Sequence, residues 1–209
     1  MSAHIVIARY EEDISWIQEF KTDITVYNKG SRLNSISNNL KIIETENKGR
    51  EAKTYLDYIV SNYNDLPDRI IFTQGRPNDH VSHDFIKDFI NFLDSNLDFH
   101  YLSIGLLKIE KTKTKGIWRE YGNLPHGYWT NNHSEESPCI KDIIKRFPKS
   151  VETGWEFGAG AIFGVSSKRI KERDLEFYNG LSEYLDSSEN IVNPIEAHVL
   201  ERMWGLIFN

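Results

Sequence analysis

The 209-residue chain is poor in several features that would point to particular classes of protein. It has one cysteine, Cys139, so no intrachain disulfide forms, and a reducing compartment fits. No apolar stretch approaches the roughly 20 residues needed to span a bilayer. The run Ile5-Val6-Ile7-Ala8 is too short for the apolar region of a signal peptide. A cytoplasmic protein with no transmembrane segment is expected. The chain has no excess of positive charge: its formal net charge of -6 argues against a dedicated nucleic-acid binder. It has neither a glycine-rich phosphate loop nor a Gly-x-Ser-x-Gly elbow. The turn Ala8-Arg9-Tyr10-Glu11-Glu12-Asp13 contains no glycine, which disfavours a dinucleotide-binding dehydrogenase. Cys139 follows Pro138 in a polar stretch without an activating helix end, so a thiolate nucleophile is not expected. No internal repeat or low-complexity linker divides the chain.

What is present is an alternation of short apolar runs and helical stripes. An apolar fraction of 39% and a mean hydropathy of -0.51 describe a globular protein with enough chain for one core. His4–Ala8, Asp23–Tyr27 and Arg69–Thr73 read as buried strands. Between them, Glu11–Asp13 put acids in the first turn of a helix carrying Ile14, Ile17 and Phe20. Arg50–Tyr63 has Ala52, Tyr55, Leu56 and Ile59 at helical spacing, and Ser82–Leu93 is a third helix. Residues 31 to 49 read as a polar loop with one short strand. This order implies an α/β fold with a parallel sheet covered on both faces. Right-handed crossovers then bring Arg9-Tyr10, Tyr27-Asn28-Lys29 and Gln74–Asp79 to one rim.

The second half is less regular. Tyr101–Glu110 reads as a strand and Trp118–Pro138 as a long aromatic loop, either a binding lid or a segment packed over a satellite core. Trp155–Ser166 is rich in small residues that permit close backbone approach. Asn193-Pro194-Ile195-Glu196 is a helix start: an N-cap, a proline at the first position and a glutamate three residues on from the cap.

The segment Ile70–Asp84 carries the most chemistry. A strand ends in a Gly/Pro/Asn turn and then presents Asp79, His80, His83 and Asp84 within six residues. Ligands of open α/β sheets sit beyond the carboxyl ends of strands, so this is a candidate metal or ligand site. The same residues also suit ordinary helix capping. The rim adds cations (Arg9, Lys29, Arg50, Arg76) and an aromatic face (Tyr10 or Tyr27) to the Asp79 carboxylate. Those are the groups needed to hold a nucleoside diphosphate.

A set of blocks occurs in one order along the chain: Val6–Asp13, Val26–Gly30, Asn47–Leu56, Leu66–Asp68, Phe72–Gly75, Gly160–Ser166 and His198–Trp204. Together they resemble a family of fungal, bacterial and viral proteins and are similar to the small GT-A-fold glycosyltransferase domains encoded by large algal viruses. The resemblance implies a GT-A-like single domain over residues 1–209, with a mostly parallel central sheet and helices on both faces. Its nucleotide-binding half would span about residues 1–110 and its acceptor-side half 111–209. It also implies a nucleotide-sugar donor, UDP-linked, a divalent metal (Mn or Mg), and transfer to a glycan or other hydroxyl acceptor. By that analogy the turn after Gln74-Gly75 takes the place of an Asp-x-Asp metal motif, although only one aspartate, Asp79, stands there beside Asn78. Asp79 is then the metal ligand, and Arg9, Tyr10, Tyr27, Arg50, Gln74 and Gly75 form the donor-binding set. Glu201 and Glu156 are the two candidates for a catalytic base. The incomplete motif keeps two other readings open: a metal-dependent phosphoesterase built on Asp79, His80, His83 and Asp84, and a non-catalytic nucleotide- or glycan-binding module.

Overall fold

The computed structural model describes residues 2–35, 37–148, 152 and 154–208. The strands expected at the start form: β1 (Ala3–Arg9), β2 (Asp23–Asn28), β3 (Leu40–Glu44) and β4 (Arg69–Gln74). Between β3 and β4 lies the long helix α1 (Arg50–Asn62), and α2 (Phe85–Leu93) follows β4. The acids of Glu11–Asp13 do not open an α-helix; only a 3-10 turn, Ser15–Glu19, forms. Glu12 and Asp13 are turned back onto local backbone N–H groups and Glu11 onto that of Ser31, and five residues are too few for an α-helix to propagate.

β1 lies between β2 and β4, parallel to both, and β2 continues in parallel to β3. The remaining strands depart from expectation. The predicted strand Tyr101–Glu110 is broken into β5 (Phe99–Tyr101) and β6 (Leu106–Lys111), which belong to different sheets. β10 (Phe163–Ser166) inserts antiparallel between β4 and β5, giving a six-stranded sheet in the order β3-β2-β1-β4-β10-β5. The central sheet is therefore mixed: the pairings of β3, β2, β1 and β4 are parallel, and the two made by β10 are antiparallel. The second correction concerns the aromatic loop. Trp118–Pro138 is largely a hairpin of β7 (Ile117–Leu124) and β8 (Gly127–Ser134). With β6 and β9 (Trp155–Gly158) it makes a separate antiparallel sheet in the order β8-β7-β6-β9.

Period-2 alternation explains the layering. Val6, Ile70 and Phe72 point to one face of the central sheet, under α1, α5 (Leu175–Asp186) and α6 (Ile195–Phe208). Ile5, Ile7 and Ile71 point to the other, where Phe89 and Phe92 of α2 cover them. Helices thus lie on both faces. The first face is dominated by rings: Tyr55, Phe72, Phe163 and Trp204 have centroids 5.0 to 5.9 Å apart. Burying each such side chain is worth about 1.5–3 kcal/mol. α3 (Pro138–Arg146) packs on α6 and α4 (Ser167–Ile170) follows β10. No helix among the described residues is long and apolar enough to cross a membrane.

Candidate functional site

The chain leaves β1 towards β2 and β3, then returns to place β4 on the opposite side of β1. The loops after β1 and β4 consequently diverge, which is where open α/β sheets form a ligand crevice. A cleft of about 630 Å³ lies there, lined by Tyr10, Glu12, Asp13, Trp16, Arg76 and Asn78 among others. Its carboxylates are occupied. Glu12 accepts from the Tyr10 N–H at 2.6 Å, Asp13 from the Ser15 N–H at 2.9 Å, and neighbouring Glu11 from the Ser31 N–H at 2.7 Å. These contacts hold the Glu11 and Asp13 carboxyls below the usual range. The acids shape the loop that walls the cleft.

Arg9 and Tyr27 serve the scaffold. The Arg9 guanidinium is 7% exposed and donates to the carbonyls of Glu12, Tyr10 and Ser31 and to Asn28 Oδ1 at 2.5 Å. It ties the end of β1 to the end of β2. Tyr27 is buried beneath α1, and burial together with Asp57 pushes its phenol up to about 12. It offers no open ring face. Tyr10, 50% exposed at the cleft, is the aromatic available for stacking. Lys29 is also internal. Its ammonium donates to the carbonyls of Lys48 at 2.7 Å and of Arg50, and burial brings it down to about 8 against the pull of Glu51 and Asp57.

The remaining candidates gather around one turn. Gln74 Nε2 donates to the Gly160 carbonyl at 2.7 Å, and the Gly160 N–H donates to Glu201 Oε1 at 2.7 Å. Gly160 has φ 81°, and a Cβ there would come within 2.6 Å of the His80 ring. The turn between β9 and β10 thus stitches the end of β4 to α6 and leaves His80 against it. Gly75 sits beside it, its carbonyl accepting from Trp16 Nε1 at 2.9 Å. Arg50 opens α1 in a left-handed conformation, φ 52°, and reaches Asn193 Oδ1 at 3.2 Å and His198 Nε2 at 3.4 Å. Burial pushes the Glu201 carboxyl up, and the neighbouring charge of Glu51 adds to it, against Arg202 and the Gly160 N–H. His80 and His198 are both held below the ordinary imidazole value, chiefly by burial.

Glu156 does not join this group. It is exposed on β9, facing Lys108 across the strand pair, and borders a different hollow with Phe99, His100 and Gly205. Asp79 stands at the tip of the β4 loop, half exposed, in an ion pair with Arg76 at 3.1 Å. His83 and Asp84 are exposed, and no three His, Cys, Asp or Glu side chains come together as a metal cage among the described residues. One exposed carboxylate fits an ion that arrives on a phosphate ligand and keeps its waters, and does not fit an ion held by protein alone. Cys139 lies in the first turn of α3 and not in a stretch without a helix end, as the sequence suggested, yet burial raises its thiol.

Two groups escape sequence reasoning. Glu51 is a buried carboxylate, 8% exposed, with Arg50 Nε at 3.4 Å. Its signal was its place one turn before Tyr55, on the edge of an apolar helical stripe. Glu120, on β7, is bound by Arg202 at 2.9 and 3.0 Å, His133 at 2.8 Å and Trp129 Nε1 at 3.2 Å. Alternation with Trp118 would have turned it inward, but only if the segment had been read as a strand.

A family model described as "Protein of unknown function (DUF3431)" matches residues 5–209. No curated protein matches the chain.

Proposed function

The chain belongs to that family, and we propose that it is a glycosyltransferase of GT-A type acting at the carboxyl-end rim of the central sheet. The observation that carries this reading is the Gly160 turn. It places a carboxylate of raised pKa, Glu201, beside Arg50 and His198 at the end of β4. A base is most effective when its pKa lies near the working pH, and burial is the usual means of raising a carboxylate.

In this reading a UDP-linked sugar lies along the rim. Tyr10 stacks on the base, and Arg50 at the start of α1 meets the diphosphate together with the helix N-terminus. Arg9, Gln74 and Gly75 act by holding the loops, and Tyr27 by supporting β2. The acceptor hydroxyl of a glycan attacks the anomeric carbon, the bond to the diphosphate breaks, and the leaving oxygen keeps the electron pair. Glu201 takes the acceptor proton if the configuration inverts. Glu156 borders a different hollow and does not share the role. Asp79 is the residue that would hold a Mn or Mg ion, which would supply charge neutralisation of the leaving group.

A thermal-shift screen of nucleoside diphosphates and nucleotide sugars, with and without Mn, tests the reading. A ligand at 100 times its Kd stabilises by about 2.7 kcal/mol. Glu201→Gln keeps the shift and loses transfer by about a hundredfold or more; Asp79→Ala loses the dependence on Mn. If no nucleotide shifts the wild type, the proposal fails. The sparse metal donor set favours one second reading, a non-catalytic nucleotide-binding module, which predicts a nucleotide shift with no turnover on any acceptor.

A further inference from the structure

Seven of the eight residues of β8 are exposed. The strand, Gly127-Tyr128-Trp129-Thr130-Asn131-Asn132-His133-Ser134, holds no acid, no lysine, no arginine and no aliphatic hydrocarbon side chain, in a chain of which 27% is charged. An exposed edge is ordinarily guarded by charge or proline, because its unpaired backbone invites association. This edge carries rings and amides instead.

Register sorts them into two faces. Trp129 lies opposite Gly122, Asn131 opposite Glu120 and His133 opposite Trp118, so these three share the face that Trp118 turns to the core. Tyr128, Thr130 and Asn132 share the outer face with Arg119 and Tyr121. There the rings are engaged by a cation: Arg119 lies 5.0 Å over Tyr121 and donates to the Tyr128 hydroxyl at 3.0 Å. On the inner face the Trp129 ring is pinned by one edge. Its Nε1 donates to Glu120 Oε1 at 3.2 Å, and the residue remains 42% exposed. Asn131 is exposed beside it.

The pinned indole adjoins the proposed base. Arg202 holds the same Glu120 carboxylate at 2.9 and 3.0 Å, and its Nη1 lies 3.9 Å from Glu201 Oε2. The turn of the hairpin reaches the same place. A Cβ at Gly105 would come within 2.7 Å of Leu124 Cδ2, and the Gly105 carbonyl accepts from the Ala159 N–H at 3.0 Å, next to the Gly160 turn.

The charges on this face select the occupant. Glu120 accepts from Trp129, His133 and twice from Arg202, which fills the acceptor sites of a carboxylate and leaves none for an ammonium or a metal ion. Arg202 is engaged in turn by Glu120 and the His198 carbonyl, and β8 supplies no lysine or arginine for an anion. A neutral ligand with an apolar ring face and hydroxyls fits. Its C–H face lies on the indole, and the Asn131 amide both donates to and accepts from neighbouring hydroxyls. A pyranose has both features. We propose that Trp129 and Asn131 form a stacking platform for a neutral glycan, which enters as the acceptor. Its role as acceptor rests on the transferase reading; the binding of a neutral sugar does not.

The test is calorimetry of the wild type, Trp129→Ala and Tyr128→Ala with maltohexaose, cellohexaose, xylohexaose, mannohexaose and chitohexaose. At least one of these binds the wild type. It binds Trp129→Ala at least about tenfold more weakly, and Tyr128→Ala, altered on the opposite face of the same strand, within about twofold of wild type. Trp129→Ala also takes a donor from the buried Glu120 carboxylate. If that variant fails to fold, Asn131→Ala and Asn132→Ala give the same contrast between faces: the first weakens binding by about fivefold and the second leaves it unchanged. The proposal is overturned if none of the oligosaccharides binds, if binding survives the changes on the Trp129 face, or if changes on the Tyr128 face weaken it as much. A thermal shift with UDP, run in parallel, separates the two readings. A UDP shift without oligosaccharide binding overturns the platform alone. Oligosaccharide binding in the expected pattern with no shift from any nucleotide upholds the platform, and the transferase reading falls by itself.

Discussion

At the scale of the residue, the charges that matter most are the buried ones. Glu120 is 1% exposed and faces a guanidinium, an imidazole and an indole N–H. Burial alone would push its carboxyl up, but His133 and Arg202 outweigh it and bring it to about 2. Its folded pKa lies below the unfolded value, so its contribution to stability is complete above the ordinary glutamate range. That contribution is lost as pH falls towards 2. Glu120→Gln is expected to cost about 3–5 kcal/mol at neutral pH, since it leaves Arg202 without its partner. Urea midpoints measured against pH test the sign: the gap from wild type holds steady above about pH 5 and closes below about pH 4. Arg9 makes the complementary point. Its position at a strand end suggested phosphate binding, but four acceptors already occupy its guanidinium. Arg9→Met should lower stability by about 2–4 kcal/mol, read by chemical denaturation, even with no ligand present.

At the scale of the element, turns and starts decide the site. The Gly160 turn works only because glycine accepts φ 81° and leaves room for His80. Gly160→Ala should lower the melting temperature by the equivalent of about 1–3 kcal/mol and move Glu201 off its N–H, so that any transfer activity falls with it. Arg50 stands at the start of α1. Its guanidinium is partly exposed but lies beside the buried Glu51 carboxylate, so Arg50→Ala should lower the melting temperature as well as weaken nucleotide binding about tenfold. The strong helical stripe of α1 could be read directly, because packing spaces apolar residues at the helical period, and so could the start of α6 near Pro194, although the Asn193 side chain meets Arg50 and His198 instead of capping the helix. The β7–β8 hairpin could not. β7 buries only Trp118 and the polar Glu120, and β8 buries almost nothing. With one of those two buried residues charged and no apolar face on β8, the period-2 apolar signal that marks a strand is missing.

At the scale of the whole molecule, the two sheets differ in how firmly they are held. β1 is paired on both sides and buried on both faces, whereas β8 is an exposed edge with one neighbour. Native-state hydrogen exchange should find the amides of β1 among the last to exchange, at a free energy near that of global unfolding. Those of β8 should exchange earliest among the strands. Exchange of β1 as fast as β8 would contradict the layering. The mixed order of the central sheet arises because β10 returns from the second sheet antiparallel to β4, a long-range pairing of Phe163 with Phe72. No local pattern encodes the direction in which a strand re-enters a sheet.

The sequence by itself determined the first half of the fold: β1, β2, α1 and β4, in parallel order, with their ends on one rim. Apolar periodicity and right-handed crossover leave little freedom there. It also marked the groups with chemistry to offer, Arg50, Asp79 and Glu201 among them. Only the tertiary structure decided which were free to use it. Arg9, Lys29 and Tyr27 were absorbed into the scaffold, Glu156 was turned to another surface, and Glu51 was buried beside Arg50. The reason is that availability is a property of neighbours. A side chain's hydrogen bonds and desolvation come from residues far away in the chain, and no local spacing records them.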